Sequence, residues 1–129
     1  MNSRLAAICL LGLVATSCNS HWEEGQSSLS PNKKWFAQLE TKSISPSNSC
    51  TRISVYDTDV YPALKTKPDP SGTPTASFTV PVDIHARSAE LKWNTNSTVL
   101  RIEQPEANAK PPIYYAVDLN TFSFFKVDK

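Results

Sequence analysis

The chain has 129 residues, with 13 lysines and arginines against 12 aspartates and glutamates and a formal net charge of +1. That balance, with no basic run and no acidic block, argues against a nucleic-acid-binding face and against a long charged tail. With 3 glycines and 3 cysteines, the chain, one domain in length, holds neither a glycine-rich phosphate cradle nor a dense disulfide framework.

The start has three parts. Arg4 is a basic head, residues 5–14 are an uncharged apolar run, and Ala15, Thr16 and Ser17 are small residues before Cys18. This is the order of a secretory signal. The run is about half of the roughly 20 residues that span a bilayer, so it does not read as a permanent transmembrane helix. The tetrad Ala15-Thr16-Ser17-Cys18 resembles the lipobox of bacterial lipoproteins, with Ala15 in the place usually held by leucine. The resemblance implies cleavage after residue 17 and lipidation of Cys18. Several acyl chains anchor a protein stably where one is marginal. Asn19, and not aspartate, follows Cys18. By the same resemblance, that implies an outer-membrane anchor facing the periplasm.

Residues 18–32 are polar, hold Gly, Ser and Pro, and show little periodicity. They are expected to form a flexible tether. Residues 33–129 are expected to form a single β domain. Period-two alternation places Trp35, Ala37 and Leu39 on one face and Phe36, Gln38 and Glu40 on the other. Ile53 and Val55 alternate with Ser54 and Tyr56; Phe78, Val80 and Val82 fall together; Leu91 falls beside Trp93. Leu100 and Ile102 alternate with Arg101 and Glu103. Ile113, Tyr115 and Val117 alternate with Tyr114, Ala116 and Asp118, and FSFFKV closes the chain. Such short alternating runs between turn residues signal half-buried strands.

The connections differ. Asn94-Thr95-Asn96 and Leu119-Asn120-Thr121 read as tight hairpins, since asparagine tolerates the left-handed conformation. Residues 57–75 and 104–112 are long and proline-rich. Long loops in a compact domain are often functional, so both are candidate contact surfaces. Their candidate binding residues are Asp59, Tyr61, Lys65, Lys67, Asp69, Glu106 and Lys110, with Tyr61 as the aromatic anchor.

The stretches SPNKKWFA (30–37) and ISVYDT (53–58) resemble the turn and strand of TolB-type propeller repeats. LKWNTNSTVL (91–100) and YYAVDL (114–119) repeat the theme, with Lys33 and Ser97 where that pattern has glycine. The resemblance implies two blade-like units and carries no catalytic group. A propeller needs four or more blades to protect its edges. The expected fold is therefore all-β: about seven short antiparallel strands, as one curved sheet or a small sandwich.

Candidates for chemistry are few. Asp83, His85 and Arg87 share one side of an expected extended strand, either as a small site or as a polar outer face. One histidine and one cysteine in the domain do not make a zinc site, and no cofactor is expected. Cys50 is either a small buried hydrophobe or a nucleophile. Phe36, Tyr56, Tyr114 and Phe122 or Phe124 lie opposite the main apolar stripe. They are exposed if the domain is a single sheet and covered if it is not. The expectation is a non-enzymatic, lipid-anchored binding module in the bacterial envelope. Its partners would be the membrane, through the lipid, and a protein, with an immunity or inhibitor role against a secreted toxin or hydrolase. The alternative is an assembly accessory that binds glycan or an outer-membrane complex.

Overall fold

The computed structural model describes residues 22–45, 48–70, 72–81, 83–107 and 109–128. The signal segment, Cys18 and Val82 lie outside the described residues. Among the described residues eight strands form two sheets of four. The first sheet is β1 (Glu23–Leu29), β2 (Trp35–Ser45), β3 (Asn48–Asp57) and β4 (Ala76–Val80); the second is β5 (Glu90–Trp93), β6 (Val99–Gln104), β7 (Ile113–Asp118) and β8 (Ser123–Val127). Every pairing is antiparallel between strands consecutive in sequence. Each sheet is thus a four-stranded meander, and the two pack as a sandwich.

The core lies between the sheets. Ala37, Leu39, Ile53, Val55 and Val80 meet Leu100, Ile102, Val117 and Leu119, all buried. These are the alternating apolar positions, brought to one face by the strand period of two. Trp35, Phe78, Leu91, Trp93, Tyr115 and Phe124 rim this core. Phe124, expected on the opposite face, belongs to this rim: its ring stacks on Tyr115 at 5.3 Å and on Phe78 at 6.0 Å.

Two expectations need correction. The stretch read as a tether supplies β1, which pairs with β2 from Glu23 opposite Thr41 to Leu29 opposite Phe36. The segment read as a strand around His85 is a string of turns. Ile84, Ala86 and Ala89 are buried there. They close the bottom of the sandwich as the chain crosses from β4 to β5. The Gln26 N–H donates to the Ala86 carbonyl at 2.7 Å, which fastens this crossing to β1. Gly25 is required beside it, because a Cβ there would run into Ala86.

The two units repeat their turn chemistry. In the first, the Ser30 N–H donates to the Trp35 carbonyl and the Lys33 N–H to the Ser30 carbonyl; in the second, Asn94 bonds to Val99 and Ser97 to Asn94 in the same way. The Ser30 hydroxyl accepts from the Trp35 N–H, as the Asn94 carboxamide oxygen does from the Val99 N–H. Lys33 has φ 63° and Ser97 φ 60°. The left-handed residue is thus the serine or lysine at the end of each turn, and not an asparagine. Asn94 instead uses its side chain, accepting from Thr98 and Val99.

This alignment fixes how the units stack. Trp35 corresponds to Val99, so Ala37 and Leu39 correspond to Arg101 and Glu103. The first pair faces the core, while Leu100 and Ile102 are the core residues of β6. The second unit therefore buries the face opposite to the one the first unit buries. The units stack front to back, with β1 over β5 and Phe78 of β4 against Phe124 of β8.

Candidate binding surface

The two outer faces are finished differently. On the first sheet Phe36 and Tyr56 point away from the core, yet both are buried. The loop after β3 folds over them. Its 3₁₀ turn, Pro62–Lys65, buries Leu64 against the pair, with Leu29 and Tyr61 alongside. The loop is thus a flap packed through Tyr61 and Leu64, and the reading in which these aromatics are covered holds for this sheet. Burial pushes the Tyr56 hydroxyl up to about 12, and the Glu40 carboxylate adds to the shift.

Further along that face Glu40 is nearly buried, accepting from Arg52 Nε at 2.7 Å and from the Ser54 hydroxyl at 2.8 Å. Trp22 lies against the other side of Arg52, 4.1 Å from ring centroid to guanidinium, and Lys42 Nζ is 4.9 Å from the same ring.

On the second sheet the outer face is a charged lattice. Lys92 Nζ is 3.2 Å from Glu103 and 3.4 Å from Glu90. The Glu103 carboxylate, and less strongly that of Glu90, raises the Lys92 ammonium above its ordinary value. Arg101 Nε lies 3.6 Å from Glu103, an ion-pair distance beyond hydrogen-bond reach. Its guanidinium covers the Tyr114 ring at 5.0 Å. Tyr114 is half-buried, and Phe125 beside it is 46% exposed.

The two long loops, each a candidate contact surface, lie at opposite ends of the sandwich. Residues 57–75 leave from Asp57, which pairs with Trp35 at the start of β2. Residues 104–112 leave from Gln104, at the far end of β6. Asp59, Tyr61, Lys65, Lys67 and Asp69 therefore share one end, with the turns at 30–34, 94–98 and 119–122. Glu106 and Lys110 share the other with the crossing at 81–89.

At that second end Asp83, His85, Gln104, Lys110 and Ile113 line an open cleft of about 350 Å³. The Gln104 side chain braces it, accepting from the His85 N–H at 2.8 Å and donating to the Ser88 hydroxyl at 3.1 Å. Cys50 pairs with Lys42 and shares the outward face of the first sheet. His85 lies beneath the inward face, near Thr41 and Thr51. The sheet thus stands between Cys50 and His85. Among the described residues no group of three histidines, cysteines or carboxylates is placed to hold a metal ion.

The first end holds a continuous strip. Phe122, at φ 51° and 40% exposed, meets the Trp35 ring edge-on at 5.7 Å. Lys34 Nζ lies over Trp35 at 5.4 Å and bridges Asp57 at 3.0 Å and Asp59 at 2.6 Å. Val60 follows, 63% exposed. The Asp59 and Asp57 carboxylates raise the Lys34 ammonium above its ordinary value. Burial works to raise the Asp57 carboxyl, but the Asp59 N–H and Lys34 outweigh it and hold it below the usual value. The base under the strip is cross-braced. The Thr58 hydroxyl donates to the Lys33 carbonyl at 2.7 Å, and the Tyr61 hydroxyl donates to the Thr73 carbonyl at 2.9 Å. Tyr61, expected as the aromatic anchor, is half-buried and braces the flap from inside, its ring 5.9 Å from Tyr56.

Sequence reasoning missed Phe122, Trp35, Lys34 and Val60 as members of this strip. Phe122 and Trp35 are far apart in the chain, and nothing in either local pattern pairs them. The doublet Asp57 and Asp59 flanking a turn was the legible signal, because the Asp57 carboxylate accepts from the Asp59 N–H. Comparison with protein-family models, curated proteins and solved structures found no match to this chain.

Proposed function

We propose that the protein is a lipid-anchored binding module of the bacterial envelope, held by Cys18 and engaging a protein partner without chemistry of its own. The observation that carries this reading is the strip Phe122–Trp35–Lys34–Asp59–Val60. It sets two exposed apolar side chains around an ion-paired centre, on a base braced by side-chain hydrogen bonds. Exposed apolar side chains held on a rigid base mark an interaction site. The strip lies at the end away from Trp22, where the chain comes from the anchor, so it faces outward from the membrane. A secreted toxin or hydrolase, neutralised on contact, is the partner we favour.

A photo-crosslinking residue at position 60, with position 106 as the control, tests this in intact cells. The expected result is one dominant covalent adduct from position 60, abolished by Asp59→Lys. If that adduct is a toxin or hydrolase, titrating the purified module should inhibit it. Adducts from position 106 alone, or a phenotype lost only in His85→Ala or Cys50→Ser, would overturn the proposal. An adduct with glycan or with an outer-membrane assembly would favour the accessory role.

A further inference from the structure

We propose that the β2–β3 ribbon docks on the phospholipid headgroups of the bilayer that holds Cys18, so that the domain stands on the membrane in one orientation. This rests on the lipoprotein reading above and adds a surface to it.

The first observation is how little chain separates the lipid from the fold. β1 begins at Glu23, opposite Thr41. From Cys18 to Trp22 there are four residue steps, at most about 14 Å when fully extended. The second observation is that β2 and β3 run past their neighbours. β1 pairs no further along β2 than Thr41, and β4 no further along β3 than Thr51. Residues 42–45 and 48–50 therefore project as the two strands of a ribbon. From the level of Lys42 to Ser45 the ribbon extends roughly 10 Å. Even a taut tether brings Ser45 close to the level of the Cys18 sulfur, and a slack one presses Ile44 among the headgroups.

The third observation is what the ribbon carries. Ile44, near its tip, is 61% exposed. Lys42 is the one charged residue between Thr41 and Thr51, and serines supply much of the rest. At the ribbon's base Trp22 lies between Lys42 and Arg52. An exposed isoleucine, a tryptophan at headgroup level and a lysine that pairs with no carboxylate among the described residues form the pattern that settles at a bilayer interface. Arg52 is already committed to Glu40, which leaves Lys42 as the phosphate ligand.

The test uses the full lipidated protein, reconstituted into vesicles of phosphatidylethanolamine and phosphatidylglycerol. In a Cys50→Ser background, Ile44→Cys and Asn120→Cys are labelled with a polarity-sensitive dye, and nitroxide lipids serve as quencher. Quenching should be roughly threefold or more stronger at position 44 than at position 120, since interfacial side chains reach headgroup depth and the far end does not. Lys42→Glu should reduce the difference. Equal, water-like signals at both positions in a protein shown by mass to carry acyl chains overturn the docking alone. A Cys18 without acyl chains overturns the docking and the anchoring together.

Discussion

The backbone N–H of Asn32 donates to the Ser97 hydroxyl at 3.0 Å. These residues sit in corresponding turns of the two units, so one hydrogen bond joins the pair at their outer end. Ser97 is itself buried and left-handed. Ser97→Ala should lose about 1 kcal/mol of stability as the bond goes. Ser97→Gly should lose less, because glycine relieves the left-handed cost. Urea unfolding of both variants would show whether Ser97 matters as a bond or as a conformation.

Lys33 occupies the matching left-handed position, but it is exposed and its side chain makes no hydrogen bond or ion pair among the described residues. Lys33→Gly should therefore stabilise the domain by a few tenths to about 1 kcal/mol, the left-handed gain outweighing the entropy of a glycine. A lower unfolding midpoint in that variant would show that the lysine side chain supports the turn.

Gly25 faces Ala86 with no room for a side chain. Gly25→Ala should push the crossing off β1, cost more than about 2 kcal/mol and break the Gln26 to Ala86 hydrogen bond. Amide exchange should then quicken at Gln26 before it quickens in β3, which remains paired on both sides.

Tyr56 titrates near 12 in the fold because burial disfavours its phenolate, and Glu40 adds repulsion. A raised value contributes stability that is fully present below the free value of about 10. That contribution is lost as pH climbs from there to about 12. The unfolding midpoint should fall across that window, and Tyr56→Phe should flatten the fall. An unchanged slope in the phenylalanine variant would put the alkaline transition elsewhere.

Arg52 is the cationic partner of a nearly buried carboxylate. Arg52→Ala should cost about 3 kcal/mol, since it strands Glu40. Glu40→Gln should cost less, because it removes the charge that needed the partner. The order of the two, read from denaturant midpoints, is the informative quantity.

The parts of the fold legible in the sequence are those where one face is wet and the other dry. β2, β3, β6 and β7 show strict alternation because their core-facing residues are Leu39, Ile53, Leu100 and Val117, each fully buried. β1 was illegible because it is an edge strand. Its sequence, EEGQSSL, has one large apolar residue. It is held by backbone pairing and by the close approach of Gly25, neither of which leaves a hydropathy period. The flap was illegible for a different reason. Phe36 and Tyr56 could be seen to point outward, but their cover, Leu64, comes from a proline-rich loop with no period of its own. The strip at the outer end was half legible: its acids stand two apart, while its aromatic pair exists only through packing.

Front-to-back stacking gives the molecule a head and a tail. A pair of units related by a two-fold axis would show the same surface twice and could close only on itself. Here each outer surface is the counterpart of a surface buried inside, so a further unit, or a second molecule, could in principle add at either end without limit. Both ends are blocked, and by different means. The Leu64 flap occupies one, and the Lys92–Glu103–Arg101 lattice stands where Ala37 and Leu39 stand in the first unit. Repeat proteins stay soluble when their terminal surfaces are made polar. In this chain those charges act as a terminator for the stack.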